Sequence, residues 1–285
     1  MTAKLIDGKA IAREERKGLR RRIEQLASRG VVPGLAVVMV GENPASKLYV
    51  RNKVRACEEL GMRSRVEAFG AGASQASLIE RLQALNADAG IHGIIVQLPL
   101  PERLDMRAII ETIDRRKDVD GFHLYNVGGL MIGDMVFPPC TPYGVQILLE
   151  RSGIEVEGKN VVVVGASNIV GKPMAMMLLQ RDATVSICHV KTRDLAQYTI
   201  LADILVVAAG QPRLIRAEMV RRGAVVIDVG INRLSDGRLV GDVDFEGVRE
   251  KASYISPVPG GVGPMTVTML LQNTIGAAER SAGAR

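Results

Sequence analysis

The chain predicts an α/β protein in two domains, each built on parallel strands layered with helices. Three observations carry this prediction. Apolar runs of strand length, such as Leu35 to Val40 and Val161 to Val164, alternate with longer segments of helical periodicity. A stretch rich in glycine and proline, Tyr125 to Pro142, has weak periodicity and interrupts the alternation. Beyond it the rhythm resumes with tighter strands, the first running into a glycine-rich turn and a helix start. At 285 residues the chain can bury one large core or two moderate ones.

The elements follow in order. Asp7 is a good N-cap for a helix to about Ser28, with Ile11, Leu19, Ile23 and Leu26 at helical spacing and Gly30 as the stop. Leu35 to Val40 is a buried parallel strand ended by Gly41, and Ala45 to Leu60 is a helix ended by Gly61. Val66 to Phe69 reads as a short strand, Ser74 to Ala87 as a helix and Ile91 to Leu98 as another buried strand. A helix from Pro142 to about Ser152 bridges to the second half. There the strands are Asn160 to Val164, Thr184 to Cys188, Ile204 to Ala208 and Val225 to Val229, with short helices between. The last helix runs from Thr266 to about Ala278.

Composition narrows the class. The chain is 47% hydrophobic and 24% charged, ordinary for a soluble globular protein. Aromatic residues are only 3% and tryptophan is absent, so the core is aliphatic and no stacking platform for single-stranded nucleic acid is expected. The net charge is +6, but the arginines of Arg13 to Arg22 interleave with Glu14, Glu15 and Glu24, the pattern of a solvated helix face. Attraction for acidic ligands such as nucleotides is the other reading of that charge. Cys57, Cys140 and Cys188 are far apart without metal-ligand spacing, which points to a reducing compartment, no disulfide framework and no metal. No apolar run is long enough to span a bilayer and no signal pattern opens the chain, so a cytoplasmic protein without membrane partners is expected.

Several segments carry chemistry. Val161 to Val164 runs into Gly165-Ala166-Ser167-Asn168-Ile169-Val170-Gly171-Lys172-Pro173. Spacing alone fits a dinucleotide phosphate loop and a plain strand-to-helix turn equally. The strand ending at Cys188-His189 would face an adenine ribose. No acid follows until Asp194, and Lys191 is cationic, which favours NADP over NAD. In the first half, Tyr49 and Lys53 are four residues apart and share one helix face, a spacing also found in solvated surface pairs. Gln97 places a polar group at the end of a buried strand, where sites of parallel sheets lie. Asp120-Gly121 taken alone is a turn. Near the C-terminus, Ser256 to Thr266 packs three prolines and three glycines into eleven residues, a rigid bare-backbone loop suited to close approach of a flat or phosphorylated ligand. Val258-Pro259 within it is a candidate cis bond.

Taken together and in order, these segments resemble the methylene-tetrahydrofolate dehydrogenase/cyclohydrolase family of one-carbon metabolism. The resemblance rests on Gly41 to Lys53, Gly93 to Pro101, Lys117 to Phe122, Phe137 to Pro142, Gly165 to Pro173, Asp228 to Asn232 and Ser256 to Thr266, and covers nearly the whole chain. It implies a folate-binding catalytic domain over residues 1–140, a Rossmann-type NADP-binding domain over 141–266, a cleft between them, and a final helix, 267–285, returning to the first domain. It implies oxidation of 5,10-methylene-tetrahydrofolate with NADP, hydrolysis of the methenyl product to 10-formyl-tetrahydrofolate, and a homodimer formed through the cofactor domain. Lys53 is then the proton-transfer group of hydrolysis, Gln97 its uncharged partner, Tyr49 a screen stacked on the substrate ring, and Asp120 the acceptor for pterin N–H groups. Ser46, Tyr49, Asp120, Pro259 and Gly260 are implied substrate contacts. Gly165, Ala166, Ser167, Gly171, Val190, Lys191 and Ile231 are implied cofactor contacts. Three positions depart from the family pattern: Leu124 stands where proline is common, Gly129 where arginine is common, and Val190 where serine or arginine is common.

Overall fold

A computed structural model describes residues 2–283. Strand β1 (Lys4–Leu5) and helix α1 (Gly8–Ala27) open the chain. They are followed by β2 (Gly34–Val40), α2 (Pro44–Leu60), β3 (Arg63–Phe69), α3 (Gln75–Ala87), β4 (Gly93–Val96), α4 (Met106–Thr112) and α5 (Leu124–Ile132). Helix α6 (Cys140–Arg151) leads to β5 (Asn160–Val164), α7 (Gly171–Leu179), β6 (Thr184–Cys188), α8 (Ala196–Thr199), β7 (Ile204–Val207) and β8 (Val225–Asp228). The chain closes with β9 (Asn232–Arg233), β10 (Leu239–Val240), α9 (Phe245–Arg249), β11 (Tyr254–Ile255) and α10 (Val262–Gly283). Two compact units result: Glu14–Cys140 with the residues from Val267 onward, and Thr141–Thr266 with the residues up to Arg13.

The first unit is built on a three-stranded parallel sheet, ordered β3-β2-β4. Every residue of β2 is buried, as its unbroken apolar run requires of a central strand. One face meets Leu78, Leu82 and Leu85 of α3 and Ile109 of α4, forming a dry aliphatic cluster with Ala36, Val38, Ile94 and Val96. β3 is an edge strand, longer than the expected Val66 to Phe69, and largely exposed. On the other side of β4, α10 comes so close that a Cβ on Gly93 would lie 2.9 Å from Thr274 Oγ1 and 2.8 Å from Val119. Gly93 permits that approach. An isolated bridge from Ile94 to Asp118 carries the sheet's hydrogen bonding toward Asp120.

The second unit holds a six-stranded parallel sheet ordered β1-β11-β8-β7-β5-β6, with strand order reversing around β5 as in a doubly wound fold. The sequence reading assigned residues 1–13 to the folate-binding domain. They group with this sheet because β1 pairs with β11 at its edge, Lys4 opposite Tyr254 and Leu5 opposite Ile255. β1 is only two residues long, so its pairing has no periodic signature in the sequence.

Other differences have similar causes. The stretch read as irregular from Tyr125 holds α5, capped by the His123 side chain accepting from Tyr125 N and ended by Gly133 in the left-handed region at φ 82°. The last helix begins at Val262, four residues earlier than expected. Pro264 falls in its first turn, where a missing N–H leaves no helical bond unmade. No helix among the described residues is long and apolar enough to cross a membrane.

Candidate active site

Helix α2 presents the first group of side chains. Asn43 caps it by accepting from Ala45 N and Ser46 N, Pro44 starts it, and Gly61 ends it at φ 77°. Ser46, Tyr49 and Lys53 recur at helical spacing on it: Ser46 is buried, and Tyr49 and Lys53 are half-buried. Lys53 Nζ donates to Gln97 Oε1 at 3.1 Å, and Gln97 Nε2 donates to Leu98 O at 2.7 Å. Gln97 stands just past the carboxyl end of β4, and its backbone N–H still bonds Val38 O of the central strand. The amide is thereby fixed with its oxygen on the lysine. Leu98-Pro99 is cis, a bond the sequence reading did not single out. Burial pushes the Tyr49 phenol upward, which keeps its hydroxyl protonated at neutral pH.

Asp120 joins this pair electrostatically. Burial raises its carboxyl above the ordinary range, the positive charge of Lys53 opposes the shift, and Asp118 adds to it. Beside it the Cys140 thiol is pushed well up, mainly by burial, so it is not a thiolate nucleophile.

Residues that sequence reasoning passed over hold Asp120 in place. Asp118 is 1% exposed and accepts from Phe122 N, His123 N and Asn126 Nδ2. Asn273 of α10 donates through Nδ2 to Val119 O at 2.9 Å and Pro138 O at 3.0 Å. The turn at Gly121 (φ 74°) lies against Pro138: a Cβ there would sit 2.6 Å from Phe137 O. The available signal was polar residues inside apolar segments, Asn126 between Tyr125 and Val127 and Asn273 after Leu270 and Leu271.

In the other unit, β5 runs directly into the glycine loop. Gly165 adopts φ 121°, and a Cβ on it would lie 2.1 Å from Ala208 O. A Cβ on Gly171 would lie 2.0 Å from Gly165 O. The loop folds back on itself at a spacing only glycine permits, and α7 starts there. Ser167 Oγ accepts from Val170 N and Gly171 N, which fixes the turn that also contains Ala166. A bare loop ahead of a helix N-terminus fits a dinucleotide diphosphate. After β6, His189 N bonds Thr192 Oγ1 and Lys191 N bonds His189 Nδ1, while Val190 is 97% exposed. Asp194, the first acid beyond β6, accepts from Ala196 N at the start of α8. Ile231 is 43% exposed, following β8. Val258-Pro259 is cis, and Gly260 O accepts from Lys9 N at 3.1 Å. Pro259 and Gly260 therefore belong to this unit, and Lys53, Gln97 and Asp120 to the other.

Two family models cover the chain. The catalytic domain of tetrahydrofolate dehydrogenase/cyclohydrolase matches residues 6–120, and its NAD(P)-binding domain matches residues 139–282. The chain belongs to the tetrahydrofolate dehydrogenase/cyclohydrolase family. A bifunctional protein FolD of Nitrosospira multiformis is 61% identical over 99% of the chain and 98% of its own length. The crystal structure of the bifunctional FolD enzyme of Campylobacter jejuni, 51% identical, superposes with a TM-score of 0.95 over 98% of this chain and 99% of that one. A Trypanosoma brucei methylenetetrahydrofolate dehydrogenase-cyclohydrolase, solved with NADP and an inhibitor, is 42% identical with a TM-score of 0.96 over 99% of each chain.

In this tetrahydrofolate dehydrogenase/cyclohydrolase the departures from the family pattern have local accounts. Leu124 is the first residue of α5 and half exposed, a position where proline and leucine both fit a helix start. Gly129 lies against the turn after α5: a Cβ would sit 2.4 Å from Asp134 O, and Asp134 N donates to Gly129 O. An arginine there requires a different course of the 133–135 turn.

Proposed function

We propose that this chain oxidises 5,10-methylene-tetrahydrofolate with NADP and hydrolyses the resulting methenyl cation to 10-formyl-tetrahydrofolate. The observation that carries the reading is the Lys53–Gln97 hydrogen bond beside Asp120, in the segment matching the catalytic domain. NADP, when bound, supplies the acceptor for the hydride. Gly165, Ala166, Ser167 and Gly171 would hold its diphosphate, Val190 and Lys191 its adenosine end, and Ile231 its carboxamide end. The hydride step is a matter of ring placement and asks for no acid or base from the protein.

Hydrolysis does need proton transfer. Water adds to the methenyl carbon and gives up both of its protons: one passes to the departing nitrogen as its carbon–nitrogen bond breaks, and the other, matching the positive charge of the methenyl cation, is released to solvent. Lys53 is the group that relays it. Gln97 orients the amine by accepting from Lys53 Nζ through its amide oxygen, and it adds no charge to the site. Tyr49, protonated and half-buried on the same helix face, stacks on the substrate ring and screens it from bulk water. Asp120 accepts from pterin N–H groups, and Ser46, Pro259 and Gly260 contribute further folate contacts. The buried free thiols of Cys57, Cys140 and Cys188 support a cytoplasmic setting. The open edge strand β6, with Ile187 39% exposed, supports a homodimer formed through the cofactor unit.

The test is an absorbance assay that follows NADPH and the methenyl product separately. With methylene-tetrahydrofolate and NADP, both should appear, and the methenyl signal should then decay. Binding of both ligands without turnover would instead make this chain a folate or nucleotide sensor.

A further inference from the structure

Two buried carboxylates in the cofactor unit take no part in the chemistry above. Asp228 ends β8 and is 4% exposed; Asp242 follows β10 and is 0% exposed. Asp228 Oδ1 accepts from Gly230 N and Asp242 N at 3.0 Å each, and Oδ2 accepts from Val243 N at 3.0 Å. Asp242 Oδ2 accepts from Ala209 N at 2.6 Å and Gly210 N at 2.8 Å, and Oδ1 accepts from Asn232 Nδ2 at 2.8 Å. The backbone of Asp228 is itself tied to β11, because its N–H donates to Ser256 Oγ at 2.8 Å. Glycines make room for both acids. A Cβ on Gly230 would lie 2.2 Å from the Asp242 carboxyl carbon, and one on Gly241 would lie 1.8 Å from Asp228 Oδ2.

The placement is specific. β11, β8 and β7 are adjacent in the sheet, and the residues bonded here, Ser256, Gly230 and Ala209-Gly210, all follow their carboxyl ends. Ligands of doubly wound sheets bind outside those ends. We infer that Asp228 and Asp242 form a clasp that sets the backbone at three neighbouring strand ends and thereby positions Ile231 for the nicotinamide end of NADP. The inference rests on the proposed NADP dependence. Neither acid touches the reacting atoms in this account; both are positioning residues.

Five backbone N–H groups and one side-chain amide converge on four carboxylate oxygens, so the clasp works fully only when ionised. Burial, with the charge of Asp242, raises Asp228 to about 7. The one charged group shifting Asp228 from the packed elements is Asp242; Ser256 and the backbone amides of Gly230, Asp242 and Val243 complete its surroundings among the described residues. Below neutral pH, Asp228 gains a proton and loses an acceptor.

The test is calorimetric titration of NADP into the apoprotein and its Asp242→Asn and Asp228→Asn variants, with amide exchange at Ala209, Gly210 and Gly230. Asp242→Asn should weaken NADP binding by roughly tenfold or more and speed exchange at 209 and 210, since an unpaired buried amide is costly. The KM for folate should change by less than about twofold, a split that loss of general stability would not give. Asp228→Asn should flatten the part of the pH dependence of affinity that the wild type shows around neutrality. Should a variant fail to fold, Asn232→Ala removes one bond to Asp242 and should weaken NADP by a smaller factor. Unchanged affinity in folded variants overturns the clasp. Failure of the wild type to bind NADP overturns the functional reading instead.

Discussion

At the scale of single residues, cofactor choice turns on what stands just past β6. Val190 is fully in solvent, Lys191 is exposed, and the first carboxylate, Asp194, is committed to the start of α8. Nothing acidic is left there to accept from a free ribose hydroxyl pair, and a cation is at hand for a 2′-phosphate. Lys191→Glu should therefore lower kcat/KM for NADP by at least about tenfold while changing that for NAD far less. Comparing the two cofactors on one preparation checks this. A variant that keeps the parental preference would transfer the phosphate contact to Arg193 or to the backbone. Residues of this kind can be proposed from the sequence because their meaning depends on type and on position relative to a strand end. Asp118, Asn126, Asn273, Asp228 and Asp242 were not, because each acts on backbone groups brought close only by folding.

At the scale of elements, strands were read more accurately than their connections. β5 and β6 have the bounds predicted for them: β5 is a central strand whose run of four valines is buried, and β6, at the sheet edge, starts and ends in register with it. Short elements were missed for the converse reason. β1, β9, β10 and β11 are two residues each, and α5 lies inside a glycine-rich stretch. The packing of α10 on β4 is the sharpest element-scale consequence. Gly93→Ala puts a methyl group within 3 Å of both Thr274 Oγ1 and Val119. Because neither neighbour is at the end of a flexible chain, the helix must shift, and the variant should lose about 1–3 kcal/mol. Denaturant unfolding should show a lower midpoint at unchanged slope. An unchanged midpoint would mean that α10 is not seated on β4 as described.

At the scale of the whole molecule, the chain carries two activities on one folate, and the residues proposed for them fall in different structural units. Hydride transfer draws on the cofactor loops and on where the rings lie. Hydrolysis, in the proposed mechanism, draws on one amine. The order of the motifs in the sequence suggests such a division, whereas the pairing of β1 with β11 has no sequence signal, because it depends on a two-residue strand finding the edge of a distant one. The measurement that tests the account most directly is a pair of rates on Lys53→Met, which keeps the side-chain length and removes the titrating amine. The methenyl-hydrolysis rate should fall by about 10²–10⁴-fold, the usual loss for a general acid–base group. NADPH formation should persist, and the methenyl product should accumulate. Equal loss of both rates, or retention of both, would contradict the account: the first would make Lys53 an anchor for folate, and the second would leave the Lys53–Gln97 bond without a catalytic role.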